Sequence, residues 1–295
     1  MDQQKQAHQY FELAADEWQA KSVNAEDEYS VIDARNSSVM SVVNELPHAR
    51  HLLDVGCGTG QLVLAAAAAG LTAEGVDFSA QMIAHCESNR DSHHSSAHFR
   101  CGSFFDLTWP DASFDVISAQ GFIEYVSPQE MEDFFHRCQR MLKPGGALVV
   151  GSRNRLFNVV SMNEFSILEM NQGVLPLLEL ESIALLAAAT QEGAFLSLER
   201  LARTDPQPSR HPDTGIGVDV RHQYSPADLI SRLRRFDFRP RTIFPIHFHA
   251  LPLPVKSQQP ALHHHLAKML GALAPRSHHL VPFSSSFVLD ARAGG

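Results

Sequence analysis

Between residues 50 and 152 the chain alternates short apolar, β-rich runs with longer stretches whose apolar positions recur at helical spacing. The runs "HLLDVG" (51–56), "AEGVDF" (73–78), "AHFRCG" (97–102), "FDVISAQ" (114–120) and "ALVVGS" (147–152) read as strands. Helices are expected near 60–69, 79–89 and 128–142. Strand, helix and strand in repetition predict a doubly wound α/β layer built on parallel pairing. Local signals fix some boundaries. In "SPQE" (127–130), Ser127 caps a helix, Pro128 suits its first position and Glu130 completes a capping box. "KPGG" (143–146) stops that helix and turns into the next strand. "SPAD" (225–228) repeats the start signal, and "RPRTIFPIHF" and "SSSFVLDARA" supply two further strands.

Two segments fall outside this rhythm. The first 45 residues read as helical, with Tyr10, Phe11, Ala14 and Trp18 at helical spacing. Residues 153–221 interrupt the alternation with an apolar helical stretch around Leu180–Leu201 and a Pro/Gly-rich loop. A long insertion at the carboxyl edge of a parallel sheet is where lids and substrate pockets are built. The expected organisation is an N-terminal helical lid (1–45), an α/β core (46–152), a helical insertion forming a substrate lid (153–221) and a C-terminal segment completing the sheet (222–295).

Composition narrows the class. The chain is 44% hydrophobic and 19% charged over 295 residues, enough to bury a core. A net charge of −9 and no Lys/Arg stripe argue against a nucleic-acid backbone as partner. No apolar run approaches the ~18 residues of a membrane helix, and the polar start lacks a secretory pattern, so no membrane contact and a cytoplasmic location are expected. A monomer or homodimer acting on a small molecule fits. Cys57, Cys86, Cys101 and Cys138 form no CxxC pair and read as buried reduced thiols. The histidine clusters at 93–94, 247/249, 263–265 and 278–279 lack a neighbouring carboxylate or cysteine at ligand spacing; most read as linker residues, and no metal is expected.

The chemistry concentrates in "LLDVGCGTGQL" (52–62). In open α/β sheets, ligands sit at the carboxyl ends of strands, and glycines there let a ligand approach the backbone. The spacing is GxGxG with an aspartate two residues upstream, not the GxGxxG of a dinucleotide site. Asp77 ends the second strand in "GVDFS", "GSFFDLTWPDASFDVI" spans 102–117 and "MLKPGGALVV" spans 141–150. In that order these pieces resemble the class I S-adenosylmethionine (SAM)-dependent methyltransferases, small-molecule branch. The resemblance implies a Rossmann-like, mostly parallel seven-stranded sheet with a helical lid insertion, and SAM as cofactor.

Carried over by position, it implies that Gly56, Cys57, Gly58 and Gly60 admit the methionine and ribose parts of SAM. Asp54 helps hold its ammonium and Asp77 grips the ribose hydroxyls. Phe78 and Met82 flank the adenine, Ser103 and Phe104 lie at its edge, and Ala119 and Gln120 lie beside the methionine. Two departures stand out: Ser103–Phe104 replaces the family's frequent Asp-Ala, and "IEYV" places Tyr125 where a histidine is common. Glu124, Tyr125 and Asn154 are the catalytic candidates, and Arg153, Arg155, Tyr29 and Arg35 the candidates for holding substrate. For Tyr125, proton handling and packing stand side by side; for the arginines, so do anion binding and solvation. The leading function is methyl transfer to a small molecule, in a biosynthetic role. The alternative is a non-methylating use of SAM, in which its own amine attacks the aminocarboxypropyl chain and yields azetidine-2-carboxylate and methylthioadenosine. A third is a non-catalytic SAM-binding subunit.

Overall fold

The computed structural model describes residues 3–23, 30–162, 164–201, 221–249, 251 and 253–294. Seven strands form one sheet: β1 (His51–Val55), β2 (Thr72–Asp77), β3 (His98–Cys101), β4 (Phe114–Gln120), β5 (Leu142–Arg153), β6 (Phe238–Phe248) and β7 (Ser284–Ala293). Their spatial order is β3-β2-β1-β4-β5-β7-β6. The first five pair in parallel, while β7 runs antiparallel to both β5 and β6. The order reverses at β1/β4, which opens a crevice at the carboxyl ends of these strands. This is the mostly parallel, doubly wound α/β sheet expected, with one antiparallel hairpin at its edge.

Helices cover both faces. On the chain's first half lie α1 (Gln3–Val23), α2 (Val31–Asn44), α3 (Gln61–Ala68), α4 (Ala80–Ser92) and α5 (Pro128–Met141). The insertion after β5 folds as α6 (Phe157–Ser161), α7 (Glu164–Asn171), α8 (Leu175–Ala187) and α9 (Gln191–Leu198). Then come α10 (Pro226–Arg235), α11 (Leu253–Gln258) and α12 (Pro260–Leu273). The last two fill a stretch where the sequence pattern had suggested only linker. Both sheet faces are apolar: one packs Leu53, Ile117, Phe134, Leu148 and Leu289 together, the other Leu52, Val63, Val116, Val149 and Val288.

The read boundaries have physical causes. Ser127 accepts a hydrogen bond from the Glu130 N–H, and the Glu130 carboxylate accepts from the Ser127 N–H at 2.7 Å, the reciprocal capping box. Met131, Phe134, Phe135, Cys138 and Met141 then place one buried stripe of α5 on the sheet. The N-terminal helices part company: α1 crosses α4 through paired hydrogen bonds between Gln19 and Asn89, while α2 buries Val39, Val42 and Val43 with Phe244 and Ile246 of β6. Cys57, Cys86 and Cys138 are buried free thiols, but Cys101, at the end of short β3, is exposed. Its strand lies at the sheet's margin, so its side chain faces outward. Nor are the histidines mainly linker residues: His247 lies within β6, His263 is buried in α12 and His278 begins a 3-10 turn. Among the described residues no helix is long and apolar enough to cross a membrane.

Candidate functional site

A cavity of about 440 Å³ opens above the carboxyl ends of β1, β2 and β4, inside the ~300–1,000 Å³ range of small-molecule sites. Its floor is the loop between β1 and α3. Gly56, Gly58 and Gly60 all have positive φ, at +71°, +54° and +88°. At Gly58 a Cβ would meet no protein atom within 4 Å, so the space it faces belongs to the cavity. A Cβ at Gly60 would instead lie 2.9 Å from Phe99 and 3.1 Å from the Cys86 sulfur. Gly60 therefore permits helix packing beneath the loop rather than ligand approach.

Two carboxylates define this half. Asp77 Oδ2 accepts from the Gly58 N–H and Oδ1 from the Ser79 N–H, each at 3.0 Å. Each oxygen keeps a further acceptor position for a hydroxyl donor. Burial pushes Asp77 up to about 6. Asp54, buried at the end of β1, is pushed up to about 7 by burial and by the neighbouring Asp77 charge, and its Oδ1 has no hydrogen-bond partner. A buried carboxylate with one oxygen left unpaired, facing a bare backbone loop, suits a cationic nucleoside and repels a pyrophosphate. SAM fits this donor set: Asp77 for the ribose hydroxyls, Asp54 for the ammonium. Cys57, Phe78, Met82, Ser103, Phe104 and Gln120 also line the cavity. Ala119 does not; it is fully buried in the core on central strand β4.

The other half is aromatic and basic. Phe11 from α1 meets the Tyr125 ring edge-on at 5.0 Å, and Trp18 also lines the space. Glu124, in the 3-10 turn after β4, is wholly buried and collects partners from across the chain. Its Oε1 accepts from the Arg153 backbone N–H at 2.8 Å and Arg35 Nη2 at 3.3 Å; its Oε2 accepts from Arg221 Nε at 2.7 Å and Nη2 at 2.6 Å. Burial alone would raise Glu124, but Arg221, Arg35 and Arg153 outweigh it and hold the carboxyl below its ordinary range. Burial also raises Tyr125, keeping the phenol neutral.

The structure thus brings Glu124, Tyr125, Arg153 and Arg35 together, but not Asn154 or Arg155. Asn154 donates to the carbonyls of Val281 and Ser284 and accepts from the Leu156 N–H, which commits its amide to the fold. Arg155 turns away into a bidentate pair with Glu169, at 2.8 and 2.6 Å. Neither lines the cavity. Tyr29 lies outside the described residues. Arg221 was not singled out from the sequence; it reaches the site because its neighbours strap 221–225 onto the strand ends. The His222 N–H donates to the Glu124 carbonyl at 2.7 Å, and Tyr224 forms a bridge with Asn154. Nothing in the local sequence around Arg221 announces that docking. Of the described residues, 154–201 contribute nothing to the cavity wall, which α1 and α2 close instead.

Residues 52–146 match the model of a methyltransferase domain family. The ubiquinone biosynthesis O-methyltransferase of Bradyrhizobium sp. (strain ORS 278) is 33% identical over 121 residues, 41% of this chain and 45% of the relative. That of Coxiella burnetii is 34% identical over 109 residues, again 45% of its length. The chain therefore matches less than half of these curated relatives. In fold it is similar to magnesium protoporphyrin IX methyltransferase from Synechocystis PCC 6803, at 13% identity and TM-score 0.58, covering 99% of this chain and 100% of that one. It is equally similar to the cyclase SpnF, at 18% identity and TM-score 0.58, covering 98% and 95%. The glycine loop, the two carboxylates and the sheet order agree with the matching region: residues 52–146 carry a methyltransferase domain.

Proposed function

We propose that the chain transfers the methyl group of SAM to an oxygen of a small molecule. One observation carries this reading: the glycine-loop half and the aromatic, basic half are a single cavity, so cofactor and acceptor share one enclosed space. The oxygen is supported by the names of the relatives, which are O-methyltransferases. When bound, SAM supplies a methyl already activated by its sulfonium.

What the protein's own residues do is then mainly binding and exclusion of water. Asp54, Asp77 and the loop amides hold the nucleoside half. Phe11 and Tyr125, edge-on at 5.0 Å, wall the acceptor half. Holding two reactants in line is worth about 7–11 kcal/mol in well-oriented intramolecular reactions. Glu124 is a counter-charge and not a base: it is ionised, fully hydrogen-bonded and encircled by guanidiniums. Tyr125 lends its ring, 5.3 Å from the Arg221 guanidinium and edge-on to Phe11, to the wall. An acceptor whose oxygen is already ionised at neutral pH asks nothing more of this site.

The test is the sulfur product left when purified protein, SAM and an acceptor panel are incubated together. S-adenosylhomocysteine is expected. Methylthioadenosine in its place would move the assignment to intramolecular cyclisation of the aminocarboxypropyl chain.

A further inference from the structure

Charge is distributed unevenly in the cavity. The nucleoside half holds Asp54 and Asp77. The acceptor half holds three guanidiniums, Arg35, Arg153 and Arg221, against one carboxylate, Glu124. Glu124 is saturated by the contacts already described, and its single negative charge faces three positive ones.

The three arginines are not equivalent. Arg221 is the one in a bidentate pair, giving Nε and Nη2 to Glu124. Arg35 gives Nη2 to both Glu124 and Ser286, and its Nη1 lies beside Gly121, at the end of the strand bearing Gln120. Arg153 differs. Only its backbone N–H meets Glu124; its Nη1, like the Nε of Arg35, is buried with no hydrogen-bond partner among the described residues. Its guanidinium carbon lies 5.2 Å from the centre of the Phe165 ring, a cation–π contact that uses none of its N–H donors. A buried guanidinium with an unused donor is costly unless an anion completes it.

We infer that the acceptor carries a carboxylate, and that Arg153, with Arg221 beside it, is the subsite that seats it. This rests on the methyltransferase reading, because it assumes the nucleoside half is filled by the cofactor. A planar guanidinium pairs with a carboxylate through two parallel hydrogen bonds, and the Tyr125 ring, 5.3 Å from the Arg221 guanidinium and edge-on to Phe11, accepts an apolar body beside it. Burial and the neighbouring Arg221 push Arg153 down to about 10, the electrostatic counterpart of its missing anion. The methionyl carboxylate of SAM is the competing occupant; the position of Arg35 near Gly121 makes that arginine the better partner for it.

The experiment is calorimetry on the full chain saturated with S-adenosylhomocysteine. Benzoate, cinnamate and octanoate are titrated against their amides, in wild type, Arg153→Gln and Arg153→Lys. At least one acid is expected to bind about tenfold or more tighter than its amide. That preference should vanish in Arg153→Gln and partly survive in Arg153→Lys, which keeps the charge but loses the fork. No preference for any acid over its amide would overturn the inference. So would a drop in S-adenosylhomocysteine affinity relative to methylthioadenosine in Arg153→Gln, because it would assign Arg153 to the cofactor's own carboxylate. If wild type binds no S-adenosylhomocysteine at all, the methyltransferase reading itself fails, and the two failures are told apart.

Discussion

Glu124 Oε2 lies 2.6 Å from Arg221 Nη2, an ion pair whose carboxylate is wholly buried and whose two residues are 97 positions apart. The pair closes the cavity and ties the segment after the insertion to the turn after β4. Its loss is a stability event before it is a catalytic one. Glu124→Ala leaves Arg221, Arg35 and Arg153 facing one another, and breaking a buried pair this way costs about 3–5 kcal/mol. Glu124→Gln should cost less, since it keeps an acceptor. Because the Glu124 carboxyl is held below its ordinary range, its contribution is present above the unfolded-state value and lost as pH falls through the lower folded-state value. Thermal unfolding of both variants near pH 7 and pH 4 checks this: the wild-type advantage over Glu124→Gln should shrink at the lower pH. Were Glu124 a base, the rate profile of Glu124→Gln would lose a limb; here its shape should match wild type.

Binding of a cationic nucleoside should release protons. Burial raises Asp54 to about 7 and Asp77 to about 6, both above the ordinary 3.8. Without ligand, the folded chain thus holds protons that the unfolded chain has given up, and stability falls as pH climbs through that interval. A ligand bearing an ammonium and a sulfonium favours the ionised carboxylates, so affinity for SAM should rise with pH until about 7 and then level. Calorimetry near pH 6 in two buffers of different ionisation enthalpy reads this directly. Equal heats would mean no proton leaves and would contradict the pairing. Asp54→Asn should reduce the buffer dependence while stabilising the ligand-free chain at neutral pH.

Gly58 and Gly60, two of the three loop glycines, should separate binding from folding. Both sit in left-handed backbone, where a side chain costs about 1–2 kcal/mol. Gly58→Ala adds a methyl facing the cavity and no protein atom. It should fold with a modest loss and bind S-adenosylhomocysteine about tenfold or more weakly. Gly60→Ala drives a methyl against Phe99 and Cys86, so its larger effect should appear in the melting temperature. Melting curves and calorimetry on the same two proteins decide; equal losses in both measurements for both variants would show that the loop acts as one unit.

The uneven legibility of this fold has a physical basis. The strands, the glycine loop, Asp77 and the Ser127 capping box follow from demands a few residues long: alternation of burial, positive φ, unpaired helix N–H groups. Arg221, Asn154 and Arg155 do not. Arg153, Asn154 and Arg155 are consecutive, yet one lines the cavity, one binds the Val281 and Ser284 carbonyls and one pairs with Glu169. Which way each turns depends on partners that arrive later in the chain. In α12 the run of three histidines in "LHHHLAKML" reads as linker although Leu262, Leu266, Met269 and Leu270 recur at helical spacing, and His263 is buried with its ring 5.6 Å from His249. Burial lowers His263, His249 and His247, so these neutral rings pack largely as aromatics.

Arg155 supplies the sharpest separation of structural from functional charge. Its side chain is 2% exposed, and that of Glu169 is 5% exposed. The same carboxylate also accepts from Asn158 Nδ2 at 3.0 Å, so α6 and α7 are joined through one polar knot. Arg155→Met strands a buried carboxylate and should destabilise the chain by about 3–5 kcal/mol, whereas replacing both partners with methionine should restore most of that loss. At a temperature where all forms are folded, S-adenosylhomocysteine affinity and the carboxylate preference should equal wild type, since Arg155 does not line the cavity. The readout is a thermal melt paired with calorimetry on the single and double variants. A folded Arg155→Met protein that had lost acid-over-amide discrimination would transfer the anion subsite from Arg153 to its second neighbour, and with it the explanation of why a guanidinium donor at Arg153 is left unused.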